Sequence, residues 1–218
     1  MAYQLIIGNK NYSSWSLRAW LLLRHCGVEF EEQRLAFFSP EFKSIVPSYS
    51  PSGKVPVLVD GDIRVWDSMS ISEYIAEKHP ELTLWPQDIA ARAMARSICA
   101  EMHAGFMGLR NNMPLNCRGD LPGKGRTQDT KHDIARIIAI WEDCRKRYAD
   151  AGPFLFGHFT IADATYTPVV LRFRTYEVEL PAQSQAYADH IQALPAMQEW
   201  VAAARSEPET ILQFEPYA

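Results

Sequence analysis

The chain has 218 residues, a net charge of −4, 47% hydrophobic residues and 22% charged ones, enough for one large domain or two small ones with a real core. That balance is ordinary for a globular protein and lacks the clustered basic excess of a nucleic-acid binder. No apolar run approaches the ~20 residues that cross a bilayer, and MAYQLIIGNK has no basic region ahead of its apolar stretch, so neither membrane segment nor signal peptide is expected.

The opening run YQLIIG (3–8) reads as a buried strand. SWSLRAWLLLRHCG follows as a helix, with Leu17, Trp20, Leu21 and Arg24 near one spacing and Gly27 as its stop. VEFEEQRL (28–35) suggests a second strand, so the chain opens β-α-β, for which a parallel pair is the default. Residues 37–56 carry Pro40, Pro47, Pro51 and Pro56 and read as loop, with a short helix at most around 40–46. VPVLVDGDIRVWDS predicts a hairpin that turns at Asp60-Gly61, with Val55, Val57 and Val59 on one face. In SISEYIAEKHP, Ser70 and Glu73 fit a capping box and Ile71, Tyr74, Ile75 and Lys78 keep helical spacing.

Two prolines in PELTLWPQD mark a change of composition. The expected organisation is an α/β domain over 1–80, a linker over 81–87 and an all-helical domain over 88–218. The helices of the second half are placed at 88–112, 127–150, 160–176, 184–193 and 195–206, with loop at 113–125. Ile134, Ile137, Ile138 and Trp141 form the stripe of the long one.

Cys26, Cys99, Cys117 and Cys144 stand far apart with no C-x-x-C. His25-Cys26 is the one close pairing, and neighbours on a helix point apart. No metal site is expected, and the cysteines read as reduced, mostly buried thiols of a cytosolic protein.

Three places have chemistry within reach. At Val55-Pro56 a cis bond would turn the Val55 backbone outward to pair with a peptide-like ligand, and sequence alone gives no reason to choose cis. Asp67-Ser68 stands at a strand-to-helix junction, where free N–H groups bind a carboxylate and Asp67 an ammonium; helix capping is the plainer reading. Ser13 and Ser14 open another helix, where capping again suffices. The G-x-S-x-G elbow of a hydrolase is absent.

Taken together, the first strand, the serines of SSWSLR, SGKVPVL, and WDSMSISEYI resemble a glutathione S-transferase. SSWSLR is similar to the Ser-Ser-Cys-x-x-Arg pattern of the zeta class, the class of maleylacetoacetate isomerase. FLFGHFTIADATYTPVVLRF (154–173) and LPAMQEWVAAAR (194–205) resemble the family's C-terminal motifs. The resemblance implies a thioredoxin-like N-terminal domain with a cis proline, an all-α C-terminal domain, a cytoplasmic homodimer and glutathione as co-substrate, without metal, nucleic acid or membrane.

By the same resemblance, Val55, before Pro56, pairs with the cysteinyl backbone of glutathione. Asp67 and Ser68 hold its γ-glutamyl end, although most members have Glu at the first position. Lys54, or less directly Lys43, reaches the glycyl carboxylate. Ser13 activates the thiol, with Ser14 as alternate. Trp15 stands where the zeta class has Cys, which disfavours a thiol-based redox role and puts isomerase activity in question. Thr160-x-x-Asp163 is a structural capping box. Trp15, Met107 and Arg110 are candidates for the electrophile pocket, and His103 is read as a surface or core histidine. The expected function is thiol conjugation to small electrophiles. The alternatives are a glutathione-dependent cis-trans isomerase and a non-catalytic ligand-binding protein.

Overall fold

The computed structural model describes residues 3–217. Four short strands make one mixed sheet in the order β2-β1-β3-β4: β1 Tyr3–Ile7, β2 Phe30–Arg34, β3 Val57–Asp60 and β4 Ile63–Val65. β1 and β2 run parallel from Tyr3 opposite Phe30 to Ile7 opposite Arg34, as a β-α-β crossover requires. β3 lies antiparallel to β1 with Leu58 opposite Leu5. α1 (Ser14–His25), α2 (Pro40–Tyr49) and α3 (Ser68–Lys78) flank the sheet, and α4 (Ile89–Ala104), α5 (Met107–Asn112), α6 (Gln128–Tyr148), α7 (Ile161–Thr175), α8 (Ala182–Ala193) and α9 (Pro195–Ser206) form the helical remainder.

The sheet has a core on each face because its side chains alternate. Leu5 and Ile7 face α1 and the main core, which runs through to Trp20, Trp141 and Trp200, all buried. Ile6 faces the other way, with Val55, Val57, Leu35 and Val46, so the expected Val55/Val57 face is the one covered by α2. α7 runs through the centre of the molecule, buried along nearly its whole length.

Local chemistry moves four expected boundaries. The first is the capping box at Ser70 and Glu73, which does not form. α3 starts three residues earlier, its N-cap is Asp67, and Glu73 instead accepts the indole N–H of Trp85 at 3.0 Å. The expected helix over 88–112 is two helices. Gly105 ends the first, and Phe106, at φ +62°, turns the chain before α5. α2 runs on to Tyr49 through Pro47. The hairpin turns one residue late, on Gly61-Asp62 with Gly61 at φ +56°.

Candidate functional site

The β1–α1 loop carries the serines, and the far end of the chain holds it rigid. Glu207 accepts the backbone N–H of Lys10 and Asn11 at 2.6 and 3.1 Å. The Asn11 amide bonds Asn116, and the Lys10 carbonyl takes the indole N–H of Trp200. Gly8 keeps this loop close to Phe37, since a Cβ there would stand 2.4 Å from the Phe37 ring.

Ser13 is the N-cap of α1. Its Oγ accepts the Ser16 N–H at 3.2 Å and donates to Ser16 Oγ at 2.7 Å, and Ser16 Oγ also accepts the Gly8 N–H. Ser13 is therefore both a cap and a wall of the adjoining cavity, and its position is set by Ser16, one helical turn on. Ser14 is the first helical residue; its hydroxyl has no protein partner among the described residues. No acidic side chain sits in the first turn of α1, so its positive end is not neutralised locally. The Tyr12 phenol is occupied. It donates to Glu215 and accepts from Arg118 at 2.9 Å and from the Ile211 N–H at 3.2 Å. Burial, and then Glu215, raise its pKa, so its proton stays in that network.

A cavity of about 350 Å³ opens beside the serines. Its walls include Tyr12, Ser13, Ser14, Trp15, Lys54 and Val55, with Phe37, Phe42 and Phe214 as its apolar side and Arg110 and Arg172 at the helical side. Among the described residues, no acidic side chain lines it. Arg172 is 5% exposed and donates to the Met113 carbonyl at 2.8 Å. Arg18, 3% exposed behind Trp15, leaves Nε and Nη1 without partners among the described residues. Burial, followed by mutual repulsion with Arg110, lowers both Arg18 and Arg172 to about 9. The Trp15 indole partly compensates two of these cations, with the Arg18 and Arg110 guanidinium carbons 4.5 and 4.8 Å from its ring centroid.

Trp15, Lys54 and Val55 also line a second cavity of about 390 Å³, with Ser52, Pro56, Trp66, Asp67 and His103. The Val55-Pro56 bond is cis. Val55 lies two residues before Val57, the first paired residue of β3, and its backbone makes no hydrogen bond among the described residues. Asp67 Oδ1 accepts the N–H of Met69 and Ser70 at 2.9 and 3.4 Å, while Oδ2 stands 3.0 Å from His103 Nε2. Ser68, buried, opens α3 beside it.

Most of the expected site residues thus gather around two adjoining cavities. Met107 is 56% exposed and lines neither, because the turn at Phe106 rotates α5 and aims Arg110 inward instead. Lys43 is exposed on α2 and also lines neither. His103, read from sequence as a surface or core residue, stands on the wall. Arg172 and Ser16 gave no signal, since nothing in their local pattern distinguishes them from other helical polar residues. Burial raises Cys26 to about 11 and Cys99, Cys117 and Cys144 to about 12, so all four stay protonated.

The site thus lies where the mixed four-strand sheet meets the helical remainder of the chain. Family models of the glutathione S-transferase N-terminal and C-terminal domains match residues 12–78 and 127–203. Glutathione S-transferase 1 of Dianthus caryophyllus is 31% identical over 72% of this chain and 71% of its own length. A probable maleylacetoacetate isomerase of Caenorhabditis elegans is 29% identical over 77% of each. Among solved structures, a glutathione transferase homolog from Burkholderia with bound glutathione superposes with a TM-score of 0.73 at 21% identity, covering 95% of this chain and all of that one. The chain belongs to the glutathione S-transferase family.

Proposed function

We propose that the two cavities bind glutathione and a small electrophile, and that Ser13 activates the glutathione thiol. The supporting observation is the arrangement around the cis-proline turn. A backbone with open hydrogen-bonding groups at Val55 lies between a capped helix start bearing a carboxylate, at Asp67-Ser68, and another bearing two hydroxyls, at Ser13-Ser14. The γ-glutamyl ammonium and carboxylate take Asp67 and the α3 N-terminus at Ser68. The cysteinyl amide pairs with Val55, and Lys54 meets the glycyl carboxylate. A homodimer belongs to the same reading.

A free thiol titrates near ~8.5 and is only a few per cent ionised at pH 7. Lowering that by ~2 units takes ~2.7 kcal/mol. A hydrogen bond to the sulfur anion supplies ~1.5–3 kcal/mol and the open N-terminus of α1 another ~0.3–1 kcal/mol. Ser13 keeps its own proton. On binding, it turns that proton from Ser16 to the sulfur while still accepting the Ser16 N–H, so the helix end polarises the hydroxyl. The thiol proton leaves to water and the sulfur lone pair attacks the electrophilic carbon; in substitution the leaving group departs with the electron pair of its own bond, and in addition the displaced π pair takes a proton from water.

The arginine-lined cavity favours a second, narrower reading. A buried Arg172 and a half-buried Arg110, with Arg18 behind Trp15 and no acid among the described lining residues, fit an electrophile that carries a carboxylate. The resemblance to a probable maleylacetoacetate isomerase points the same way. In the isomerase case the thiolate adds to the double bond, the bond rotates, and the thiolate leaves unchanged.

The test is thiolate absorbance of bound glutathione against pH in wild type, Ser13→Ala and Ser14→Ala. A bound pKa well below ~8.5 that rises by ~1–2 units in Ser13→Ala supports the assignment. An unchanged value in Ser13→Ala and a raised one in Ser14→Ala would transfer the role to Ser14. Glutathione consumed per turnover separates conjugation from isomerisation.

A further inference from the structure

Asp67 carries one methylene fewer than the Glu that the family resemblance implies at this position, and the structure shows what holds it. One oxygen is committed to the N–H groups of Met69 and Ser70. The other is 3.0 Å from His103 Nε2, on α4 of the helical half. That contact places the ring proton on Nε2, since a carboxylate only accepts. The His103 ring is itself fixed. It meets the Trp15 indole edge-on, centroids 5.1 Å apart at 65°, and its Nδ1 is buried without a partner among the described residues. Asp67 nevertheless keeps half its side-chain surface open, on the cavity wall it shares with Pro56 and Trp66.

A contact this exposed contributes little to stability. Its effect is on orientation, because a capping Asp without the second contact retains side-chain freedom that a ligand must freeze out. We propose that His103 is a positioning residue for the amino group of glutathione. It sets the Asp67 carboxylate so that the remaining lone pairs face the ligand ammonium, and it makes the helical half part of the γ-glutamyl subsite. This rests on the glutathione reading above.

The experiment is calorimetric titration with glutathione and with its des-amino analogue, glutaryl-cysteinyl-glycine, on wild type, His103→Ala and His103→Gln. His103→Ala should weaken glutathione roughly three- to tenfold and leave the des-amino peptide within about twofold of wild type. His103→Gln, which keeps a donor, should recover most of the loss. Equal weakening of both peptides overturns the proposal in favour of a packing role, and so does no change in either. If His103→Ala does not fold, His103→Phe keeps a ring against Trp15 without the donor and carries the same comparison. A wild-type protein that binds neither peptide overturns the glutathione reading and this inference with it. Wild-type binding without discrimination in the variants overturns this inference alone.

Discussion

Asp67 and Asp163 both stand at the start of a helix, and the surrounding chain uses them in opposite ways. Asp163 is fully buried. Its oxygens take the Leu155 N–H at 3.0 Å, the Thr160 N–H at 2.8 Å and the Thr160 hydroxyl at 3.0 Å. Every direction in which a ligand might approach is filled by its own fold. Asp67 spends one oxygen on its helix, offers the other to His103 across the seam and stays half exposed. The same carboxylate chemistry is thus closed to any ligand where it is sealed and open to one where it is not. Availability of lone pairs, rather than residue type, separates the two.

The sharpest way to break this comparison is to remove each carboxylate. Asp163→Ala leaves buried N–H groups unsatisfied at the base of α7 and should cost about 2–4 kcal/mol in urea denaturation. A loss below about 1 kcal/mol would show that the sealed cap contributes no more than an exposed one.

A pH titration of stability separates the two aspartates next. Burial raises Asp163 to about 6, against the hydrogen bonds from Leu155 and Thr160 that lower it. A raised acid binds its proton more tightly folded than unfolded. Its contribution is therefore complete below the unfolded value near ~4 and is lost as pH rises through about 6. Wild type should lose up to about 3 kcal/mol from this group between those limits, and Asp163→Asn should flatten that slope. An identical slope in the variant would assign the titration elsewhere.

Asp67→Ala should move stability least, by about 0.5–1 kcal/mol for an exposed cap, while weakening glutathione about tenfold. If thermal and chemical stability fall as far as in Asp163→Ala, the two caps are alike and the distinction fails. Calorimetry with the des-amino peptide sharpens it, since that ligand should be indifferent to the loss.

The order of elements was largely legible in the sequence because apolar period and turn residues are local. YQLIIG, the helix ending at Gly27 and the 195–206 helix follow from such patterns. Where boundaries moved, a longer contact or a backbone turn won. The α3 cap went to Asp67 while Trp85 captured Glu73, and Phe106 interrupted what looked like one helix. The site was legible in part for the same reason. Ser13, Val55 and Asp67 lie at strand and helix junctions, which sequence marks. Arg172, Ser16 and His103 lie inside helices, where their neighbours in the chain say nothing of what they face.

By itself, then, the sequence determined the elements, the family resemblance and the junctions where backbone groups are left free, all set by short-range sterics and hydrogen bonding. Only the tertiary structure decided which hydroxyl caps and which stands open, that Tyr12 is occupied by the C-terminal segment, and that two arginines line one cavity with a third behind its Trp15 wall. It also decided that His103 meets Asp67. Those outcomes depend on segments far apart in the chain being packed within a few ångströms of one another, and burial there changes which polar groups retain a free partner.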